Sequence, residues 1–440
     1  MNHLRRIDAE ILAKAGRSDA AEIFAARGLP LPDPSPKEGR GLPIPEQTYR
    51  RRLSQYGAAV SPVEGQISFL GAGFGSCFVP SSLAGAMETA SLAARRNPDA
   101  WGERLARHLA ALTGMAAVLP AVLTARDAAS TLVHLIAEAR PGCREILLAG
   151  TLPLTFDKPL RRQLDRFGFR CRTLGWEDGV VSASELLAHF SAPPTAASTS
   201  NGIAAVLVAS PNALGCLEPM SEIGQIVHHR GALFIPLVDP LSLALLRTPG
   251  EVAANFCCGS LHSVGLSRRG VGDGWFVAAG EYQKAYLDRS EMDRHLGGGF
   301  PARSGGQAGE AAAFLEGLGG EGLATLAGLR LQYARFLHSA LSQITGFHPA
   351  FPAKVPFFNE FVFQTPLPAE EIVAELEEQG ICAGLPVRLP SATQAIPESK
   401  PSGLLVSVTE RRTLREMEYF LKALKQLRDR NAGRILGADL

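Results

Sequence analysis

The chain has 440 residues, and its 44 lysines and arginines almost balance its 43 acidic residues, giving a formal net charge of +1. Hydrophobic residues make up 46% of the chain and charged residues 20%, which is ordinary for a globular protein with a large core. A nucleic-acid-binding surface needs a surplus of basic side chains, so the balanced charge argues against that class of partner. At about 150 residues per domain, the length predicts two or three domains, or one large α/β domain with a smaller one attached.

No run of about 18 apolar residues is present, which argues against a transmembrane helix and against a membrane partner. The first ten residues carry Asp8 and Glu10 and contain no apolar run, so we expect no signal peptide and a cytoplasmic protein. The seven cysteines are scattered without a C-x-x-C pair. This spacing favours neither a metal site nor a disulfide framework, and we expect no metal.

The N-terminal part, residues 1–65, is predicted to form a helical segment interrupted by Pro32, Pro34 and Pro36. From Ile67 to about Gly280, short apolar runs alternate with helical segments. The predicted strands are Ile146–Gly150, Gly202–Ala209, Ala232–Asp239 and Gly274–Ala279. The predicted helices are Trp101–Leu112, Arg126–Ala139, Leu160–Phe167, Ser184–Phe190 and Met220–His229. This alternation predicts a mostly parallel sheet with helices on both faces, in a large domain of residues 66–310.

A second, smaller α/β domain is predicted for residues 311–440. Gly309–Leu341 has the pattern of long helices that lead into it. Two strands and two helices then alternate, at Phe357–Phe363, Glu370–Glu378, Leu404–Val408 and Leu414–Leu427. The sequence therefore predicts an α/β fold with a large parallel-sheet domain and a small C-terminal domain.

Polar residues follow two of the predicted strands. Asp239 comes directly after an apolar run, and ligands of open parallel sheets bind just beyond the carboxyl ends of their strands. A carboxylate there could hold a protonated pyridine nitrogen, as enzymes that use pyridoxal phosphate (PLP) require, or it could cap the next helix. Asn212, in the turn-like segment Ser210–Gly215, could face the same site or serve the turn itself.

Two glycine-rich loops are further candidates. Gly71 and Gly73 lie in a loop that does not match the G-x-G-x-x-G dinucleotide fingerprint; it is either a tight loop or a close approach to a ligand or a partner subunit. Arg268 and Arg269 lie in a basic, glycine-rich loop that could bind an anion or form a surface hairpin.

Four stretches together resemble a known family. They are Phe69-Leu70-Gly71-Ala72-Gly73, Leu112-Thr113-Gly114-Met115, Ser210–Glu218, and Gly231–Leu243 with its continuation through Glu251. Their order and spacing resemble the alpha subunit of the glycine cleavage P-protein, glycine dehydrogenase (decarboxylating) subunit 1, over nearly the whole chain.

The resemblance implies the fold-type-I architecture of PLP-dependent transferases. It also implies an alpha-type subunit that pairs with a beta-type P-protein subunit carrying PLP on a lysine. The pair would decarboxylate glycine and pass the aminomethyl group to a lipoyl carrier of the H-protein type. His262-Ser263 stands where the beta-type chain has its His-Lys pair. A serine cannot form the bond to PLP, so no catalytic residue is expected in this chain and no PLP should be covalently bound to it.

In this interpretation Asp239 resembles the acid that contacts the pyridine nitrogen, and His262 the residue that stacks on the ring. Asn212 is a weaker candidate contact. All three could be relics of a site that has lost its lysine.

Three segments depart from the ordinary alpha-type pattern: Ser91–Pro98, Thr124–Ser130 and Gly297–Gln307. These departures indicate a diverged paralogue whose substrate could differ from glycine. Two alternatives stay open. One is a non-catalytic scaffold or regulatory protein of a different complex. The other is an independent PLP enzyme using Lys158 or Lys284, which are among only eight lysines in the chain.

Overall fold

The computed structural model describes residues 67–70, 79, 81–191, 202–266, 273–287, 300–389 and 402–433. The predicted N-terminal helical segment of residues 1–65 lies outside these ranges, and so do Gly71, Gly73, Arg268 and Arg269. The predicted α/β class is confirmed, because the described residues form a large, mostly parallel sheet with helices around it.

The large sheet has eight strands. In chain order they are β2 (Ala117–Val118), β3 (Leu123–Thr124), β4 (Glu145–Ala149), β5 (Arg170–Leu174), β6 (Ile203–Ser210), β7 (Leu233–Val238), β8 (Phe256–Ser260) and β9 (Asp273–Ala279). Their spatial order is β2-β9-β8-β7-β6-β4-β5, with β3 also paired to β9. Neighbouring strands from β5 to β8 are parallel, whereas β9 runs antiparallel to β8 and to β2.

Helices cover this sheet. They are α1 (Ser81–Arg96), α2 (Pro98–Thr113), α3 (Ala125–Ala139), α4 (Leu154–Arg166), α5 (Ala183–Ser191), α6 (Met220–His229) and α7 (Phe300–Leu341). All six residues of β7 are buried, as expected for a central parallel strand that is covered on both faces. No helix in the described ranges is both long and apolar enough to span a bilayer.

Local sequence signals set the helix ends. At the start of α2, the side chain of Asn97 accepts a hydrogen bond from the backbone N–H of Ala100, and Pro98 occupies the first turn. The same helix ends at Gly114, whose φ of 67° lies in the left-handed region that glycine adopts without strain.

A smaller unit follows α7. Its antiparallel sheet has the order β10 (His348–Pro349), β11 (Glu360–Gln364), β14 (Gly403–Ser407) and β13 (Leu385–Val387). Two helices pack here, α8 (Ala369–Glu377) and α9 (Leu414–Arg430). A capping box between Thr413 and Glu416 starts α9. A separate parallel pair joins β1 (Ile67–Ser68) to β12 (Ile381–Cys382).

Two hydrophobic cores correspond to the two sheets. The helix α7 contributes to both. Its buried residues between Ala308 and Leu331 pack mainly in the core of the large sheet, and Leu329, Tyr333, Ala334, Leu337 and Leu341 pack in the second core. Non-helical backbone at Gly319 interrupts α7 within the part that packs in the core of the large sheet. Phe69 precedes the large sheet in the chain, yet it stacks on Phe420 of α9 in the second core, with ring centroids 4.3 Å apart. The domain limits at residues 66 and 310 remain a prediction. Phe69 lies within the predicted large domain in the sequence but packs in the core of the small sheet.

Candidate functional site

A cavity of about 270 Å³ lies beyond the carboxyl ends of the parallel strands, where the small sheet closes over the large one. We call it the sheet-edge cavity. The ends of β6, β7 and β8 and the start of β9 supply one side, and α7, β11, β13 and β14 supply the other. It brings together three of the residues predicted from sequence, Asn212, Asp239 and His262, and also Ser263. This position is the expected one for a ligand site in an open parallel sheet.

Asp239 and Ser263 are joined directly. The Ser263 hydroxyl donates a short hydrogen bond to Oδ1 of Asp239. The same oxygen accepts the backbone N–H of Leu241 at 3.0 Å. The Asp239 carbonyl also accepts the N–H and the hydroxyl of Ser242. Asp239 therefore both faces the cavity and caps the turn that follows β7. The capping interpretation is confirmed, and a contact between Asp239 and a pyridine nitrogen stays a prediction.

His262 lies in a short 3-10 turn, Leu261–Val264, directly after β8. The Ser260 side chain caps this turn by accepting the backbone N–H of His262 at 3.2 Å. The imidazole is half-buried and lines the cavity. Trp275 of β9 lies on the same wall and stacks on Phe156, with ring centroids 4.5 Å apart. The turn therefore places His262 and Ser263 together on an aromatic wall.

Asn212 is 3% exposed, and its side chain is hydrogen-bonded to its own loop and to the segment between β5 and α5. Its Nδ2 donates to the carbonyl of Gly179 and to Oε1 of Glu218, both at 2.8 Å. Its Oδ1 accepts the backbone N–H groups of Leu214 and Cys216. Asn212 thus shapes the loop that forms one cavity wall, and a contact between Asn212 and a cofactor stays a prediction.

Glu218 is the buried centre of that loop, and sequence reasoning had not singled it out. Its carboxylate accepts hydrogen bonds from Thr151 Oγ1 at 3.2 Å, Asn212 Nδ2 at 2.8 Å and the Val181 N–H at 2.9 Å. Burial raises the pKa of Glu218 to about 7, although these hydrogen bonds act in the opposite direction. Two signals were available in the sequence: Glu218 is a lone acid within an apolar segment, and it ends the family-like stretch Ser210–Glu218.

Arg330 of α7 is a second cavity residue that the sequence did not indicate. It is buried and pairs with Glu410 through Nε to Oε2 at 2.5 Å and Nη2 to Oε1 at 3.3 Å. Ser407 of β14 lies on the same wall, and its buried hydroxyl has no hydrogen-bond partner within the described ranges. An unpartnered buried hydroxyl at a cavity indicates a place for water or a polar ligand.

The fold implies PLP, and the residues can be tested against it. Asp239 suits a pyridinium nitrogen, but Ser263 offers no amine for a covalent bond. No lysine lines the cavity in the described part of the chain. Lys158 is exposed on α4, and Lys284 is 54% exposed and paired with Glu281. These residues do not fit covalently bound PLP, and neither lysine considered for an independent enzyme lies at the cavity.

The start of α3, which lies at this edge of the sheet, also offers little to a phosphate. The register of β9 with β3 and β8 places the start of α3 at the same edge of the sheet as Ser260. There, Thr124 Oγ1 accepts the backbone N–H of Asp127 at 3.1 Å and donates to its carboxylate at 2.9 Å. An acidic side chain in the first turn of a helix uses the positive end of the helix dipole and repels a second anion.

The comparisons with known proteins agree with this architecture. A model of the family described as glycine cleavage system P-protein matches residues 169–285. A probable glycine dehydrogenase (decarboxylating) subunit 1 of Chlorobaculum parvum is 30% identical over 335 residues, which cover 68% of this chain and 70% of the relative. The chain belongs to the glycine cleavage P-protein family.

Other members of the P-protein family match over different lengths. A subunit 1 of Chlorobium luteolum is 33% identical over 258 residues, covering 51% of this chain and 54% of the relative. The chain therefore spans about half the length of that relative. One from Chlorobium phaeobacteroides is 25% identical over 423 residues, covering 87% and 89%.

Solved structures show the fold. An inhibitor-bound glycine decarboxylase (P-protein) matches with a TM-score of 0.68 and 23% identity, covering 97% of this chain and 100% of that one. A NifS-like protein from Rickettsia africae matches with a TM-score of 0.59 at 14% identity. The fold-type-I architecture of PLP-dependent transferases, predicted from the family resemblance, is confirmed.

Proposed function

We propose that this chain is the lysine-less, alpha-type subunit of a P-protein-like glycine decarboxylase. One observation carries the proposal: the hydroxyl of Ser263, the residue that the family resemblance puts at the position of the PLP-binding lysine, is hydrogen-bonded to Asp239, the acid expected at the pyridine nitrogen. A site arranged in this way has no amine to attach the cofactor. Catalysis then belongs to a beta-type partner subunit that holds PLP on its own lysine.

The names of the relatives support the assignment of catalysis to a separate partner subunit. Their name, glycine dehydrogenase (decarboxylating) subunit 1, implies at least one further subunit. When bound in the partner, PLP supplies the electron sink for loss of CO2 from glycine. The aminomethyl group then passes to a lipoyl carrier protein of the H-protein type. This chain contributes the pairing surface and the buried scaffold that holds the partner's site in shape.

Reconstitution tests the proposal. The chain would be coexpressed with a beta-type chain from the same genome, purified as a complex, and assayed for exchange of labelled CO2 into the carboxyl group of glycine. We expect exchange from the complex and none from either chain alone. If a beta-type chain fails to copurify, or if the purified complex shows no exchange, the proposal is wrong.

A second function has specific support. Three segments near the family's active site depart from the ordinary alpha-type pattern, and the described part of the sheet-edge cavity lacks a lysine. A non-catalytic scaffold or regulatory subunit of a different complex also fits these changes. A pull-down that recovers partners other than a beta-type chain would favour it, whereas recovery of that chain with glycine exchange activity would exclude it.

A further inference from the structure

One carboxylate oxygen of Asp239 is left without a partner at the sheet-edge cavity. Oδ1 accepts the Ser263 hydroxyl and the Leu241 N–H, whereas Oδ2 has no hydrogen-bond or ion-pair partner within the described ranges. The residue is half-buried and lines the cavity. A carboxylate can accept about four hydrogen bonds, so Oδ2 offers unused acceptor positions to whatever occupies the cavity.

The other ionisable residues of this cavity are already engaged. Arg330 is paired with Glu410, so the charges of these two side chains compensate each other. His262 and Glu360 also line the cavity, and each has an interaction within the protein. Among the described lining residues, Asp239 therefore carries the charge that is left unpaired. A negative charge at a partly buried cavity favours a cationic ligand and disfavours an anion.

A neutral polar group lies on the side of the cavity that the small sheet supplies. Ser407, which is 2% exposed, ends β14, and its hydroxyl has no hydrogen-bond partner in the described part of the chain. Side chains alternate along a strand, so Leu404 and Val406 face the second core while Ser407 lines the cavity. Buried hydroxyls are normally hydrogen-bonded, and Ser407 therefore indicates a place for a polar group from outside the chain.

Most of the remaining lining is apolar. Leu214, Leu385 and Val387 line the cavity together with Trp275, whose ring is held in place by its stacking on Phe156. Ligand sites combine apolar walls of this kind with a small number of polar groups that fix the orientation of the ligand. A volume of about 270 Å³ is small for such a site, so a molecule with a single ring fits it better than a larger one.

We propose that the sheet-edge cavity binds, without a covalent bond, a small protonated amine with a single-ring body. The ammonium group donates a charge-assisted hydrogen bond to Oδ2 of Asp239. The ring packs against Trp275 and the aliphatic lining, and a hydroxyl or carbonyl group of the ligand meets Ser407. Because the large and the small sheet each supply one side, the bound amine holds the two together. This site goes beyond the proposed function, which assigns no ligand to the cavity.

Calorimetric titration of the full chain with tyramine as the probe tests the proposal. The chain is titrated without a partner subunit, so the result does not depend on whether a complex exchanges CO2. We expect saturable binding of one tyramine per chain. Tyrosol, in which a neutral hydroxyl replaces the ammonium group, should bind at least about tenfold more weakly. Its analogue 3-(4-hydroxyphenyl)propionate carries a carboxylate at that end and should not bind. Lack of saturable tyramine binding, or equal binding of the carboxylate, overturns the proposal.

Asp239→Asn tests the ion pair directly. The amide keeps an oxygen for the Leu241 N–H and the Ser263 hydroxyl but removes the negative charge. Tyramine should therefore bind at least about tenfold more weakly, whereas the affinity for tyrosol should change little. The matched control is Asp165→Asn, at an exposed position on α4 outside the cavity lining. Unchanged tyramine affinity in Asp239→Asn would contradict the proposal.

A second pair of variants keeps the test decisive if Asp239→Asn fails to fold. Ala213 is half-buried and lines the cavity, so Ala213→Trp fills part of it and should abolish tyramine binding. Ala93→Trp, at an exposed position on α1, is its control and should leave binding unchanged. If tyramine binding survives Ala213→Trp, the amine occupies another site and the proposal is wrong.

Ser407→Ala tests the other end of the ligand. It should weaken the binding of tyramine severalfold and leave unchanged the binding of 2-phenylethylamine, which lacks the ring hydroxyl. An equal effect on both amines would contradict the contact with Ser407.

Discussion

The Ser263 hydroxyl donates a hydrogen bond to the carboxylate of Asp239, linking the turn after β8 to the end of β7. In a site that held PLP covalently, these two positions would serve the cofactor, one through an amine and the other through the pyridine nitrogen. Here they serve each other. In the proposed function, in which Ser263 takes the place of a PLP-binding lysine, this hydrogen bond replaces the contacts to the cofactor, and it has measurable consequences.

Ser263→Ala should destabilise the chain by about 1 kcal/mol, because Asp239 loses a donor to its charged carboxylate while remaining half-buried. Urea unfolding at pH 7 measures the change. Ser184→Ala is the control, since Ser184 is exposed and its hydroxyl is hydrogen-bonded to the hydroxyl of Ser182. Equal urea midpoints for the two variants would show that the Ser263–Asp239 hydrogen bond makes no net contribution to the free energy of unfolding.

Glu218 should give the chain a specific pH dependence. Its pKa is raised from 4.5 to about 7, so the native state holds the proton more tightly than the unfolded chain. The resulting stabilisation is complete below about pH 4.5 and is lost as the pH rises through about 7, with an upper limit of about 3 kcal/mol. Above that pH it is absent.

Glu218→Gln removes this titration. We therefore expect the unfolding free energy of the wild type, relative to Glu218→Gln, to fall between pH 5 and pH 8. Glu103→Gln, at an exposed position on α2, should run parallel to the wild type over the same range. Parallel curves for Glu218→Gln as well would contradict the buried, protonated state of Glu218.

The buried pair of Arg330 and Glu410 should be far more sensitive than a surface pair. Glu410→Gln removes the carboxylate that pairs with the guanidinium of Arg330, which is 5% exposed, and we expect the free energy of unfolding to fall by about 3 kcal/mol. The matched control is Glu375→Gln, which breaks the exposed pair with Arg430 and should cost less than about 1 kcal/mol. Similar decreases in the free energy of unfolding for Glu410→Gln and Glu375→Gln, measured by urea unfolding, would show that the Arg330–Glu410 pair is solvated.

Gly215→Ala should strongly destabilise the loop after β6. Gly215 has a φ of +80°, and an added Cβ would lie 2.1 Å from the carbonyl oxygen of Glu360. Both the backbone strain and the steric clash act against alanine, so we expect a loss of several kcal/mol. Gly85→Ala is the control: it lies in α1 with no atom within 4 Å of an added Cβ, and it should be stabilising by up to about 1 kcal/mol. If the Gly215→Ala variant is as stable as the wild type in urea unfolding, the loop moves to accommodate the added Cβ, which would contradict this prediction.

The sequence predicts the central elements well because their signals are local. Met220–His229 coincides with α6, and the strands predicted at Gly202–Ala209 and Ala232–Asp239 differ from β6 and β7 by one residue at each end. Continuous burial gave β6 and β7 uninterrupted apolar runs. The glycine at position 114 is a local signal of the same kind, because its φ of 67° ends α2 in a conformation that glycine adopts without strain.

Elements with mixed composition were missed. The edge strand β5 reads Arg-Cys-Arg-Thr-Leu and pairs on one side only, so exposed arginines obscure its pattern. The strand β8 contains two cysteines and a glycine, and α4 begins at Leu154, earlier than predicted, with Pro159 inside it. The helix α1 was not predicted either. Packing against neighbours, which no local pattern records, stabilises these elements.

The residues of the candidate site also fall into two groups, those that the sequence indicates and those that it does not. Asp239, His262 and Ser263 could be indicated because they follow strands or match a family motif. Glu218 and Arg330 matter through partners distant in the chain, 67 positions away for the Thr151–Glu218 contact and 80 for Arg330–Glu410. Such pairs become visible only when the fold brings them together.

The most direct test of the central claim is mass spectrometry of the complex, purified through a tag on this chain and treated with borohydride. Borohydride fixes PLP to the lysine that holds it. The account predicts that this chain keeps its unmodified mass, while a copurifying beta-type chain carries reduced PLP on a lysine. Reduced PLP on any lysine of this chain, Lys158 and Lys284 included, would contradict the account.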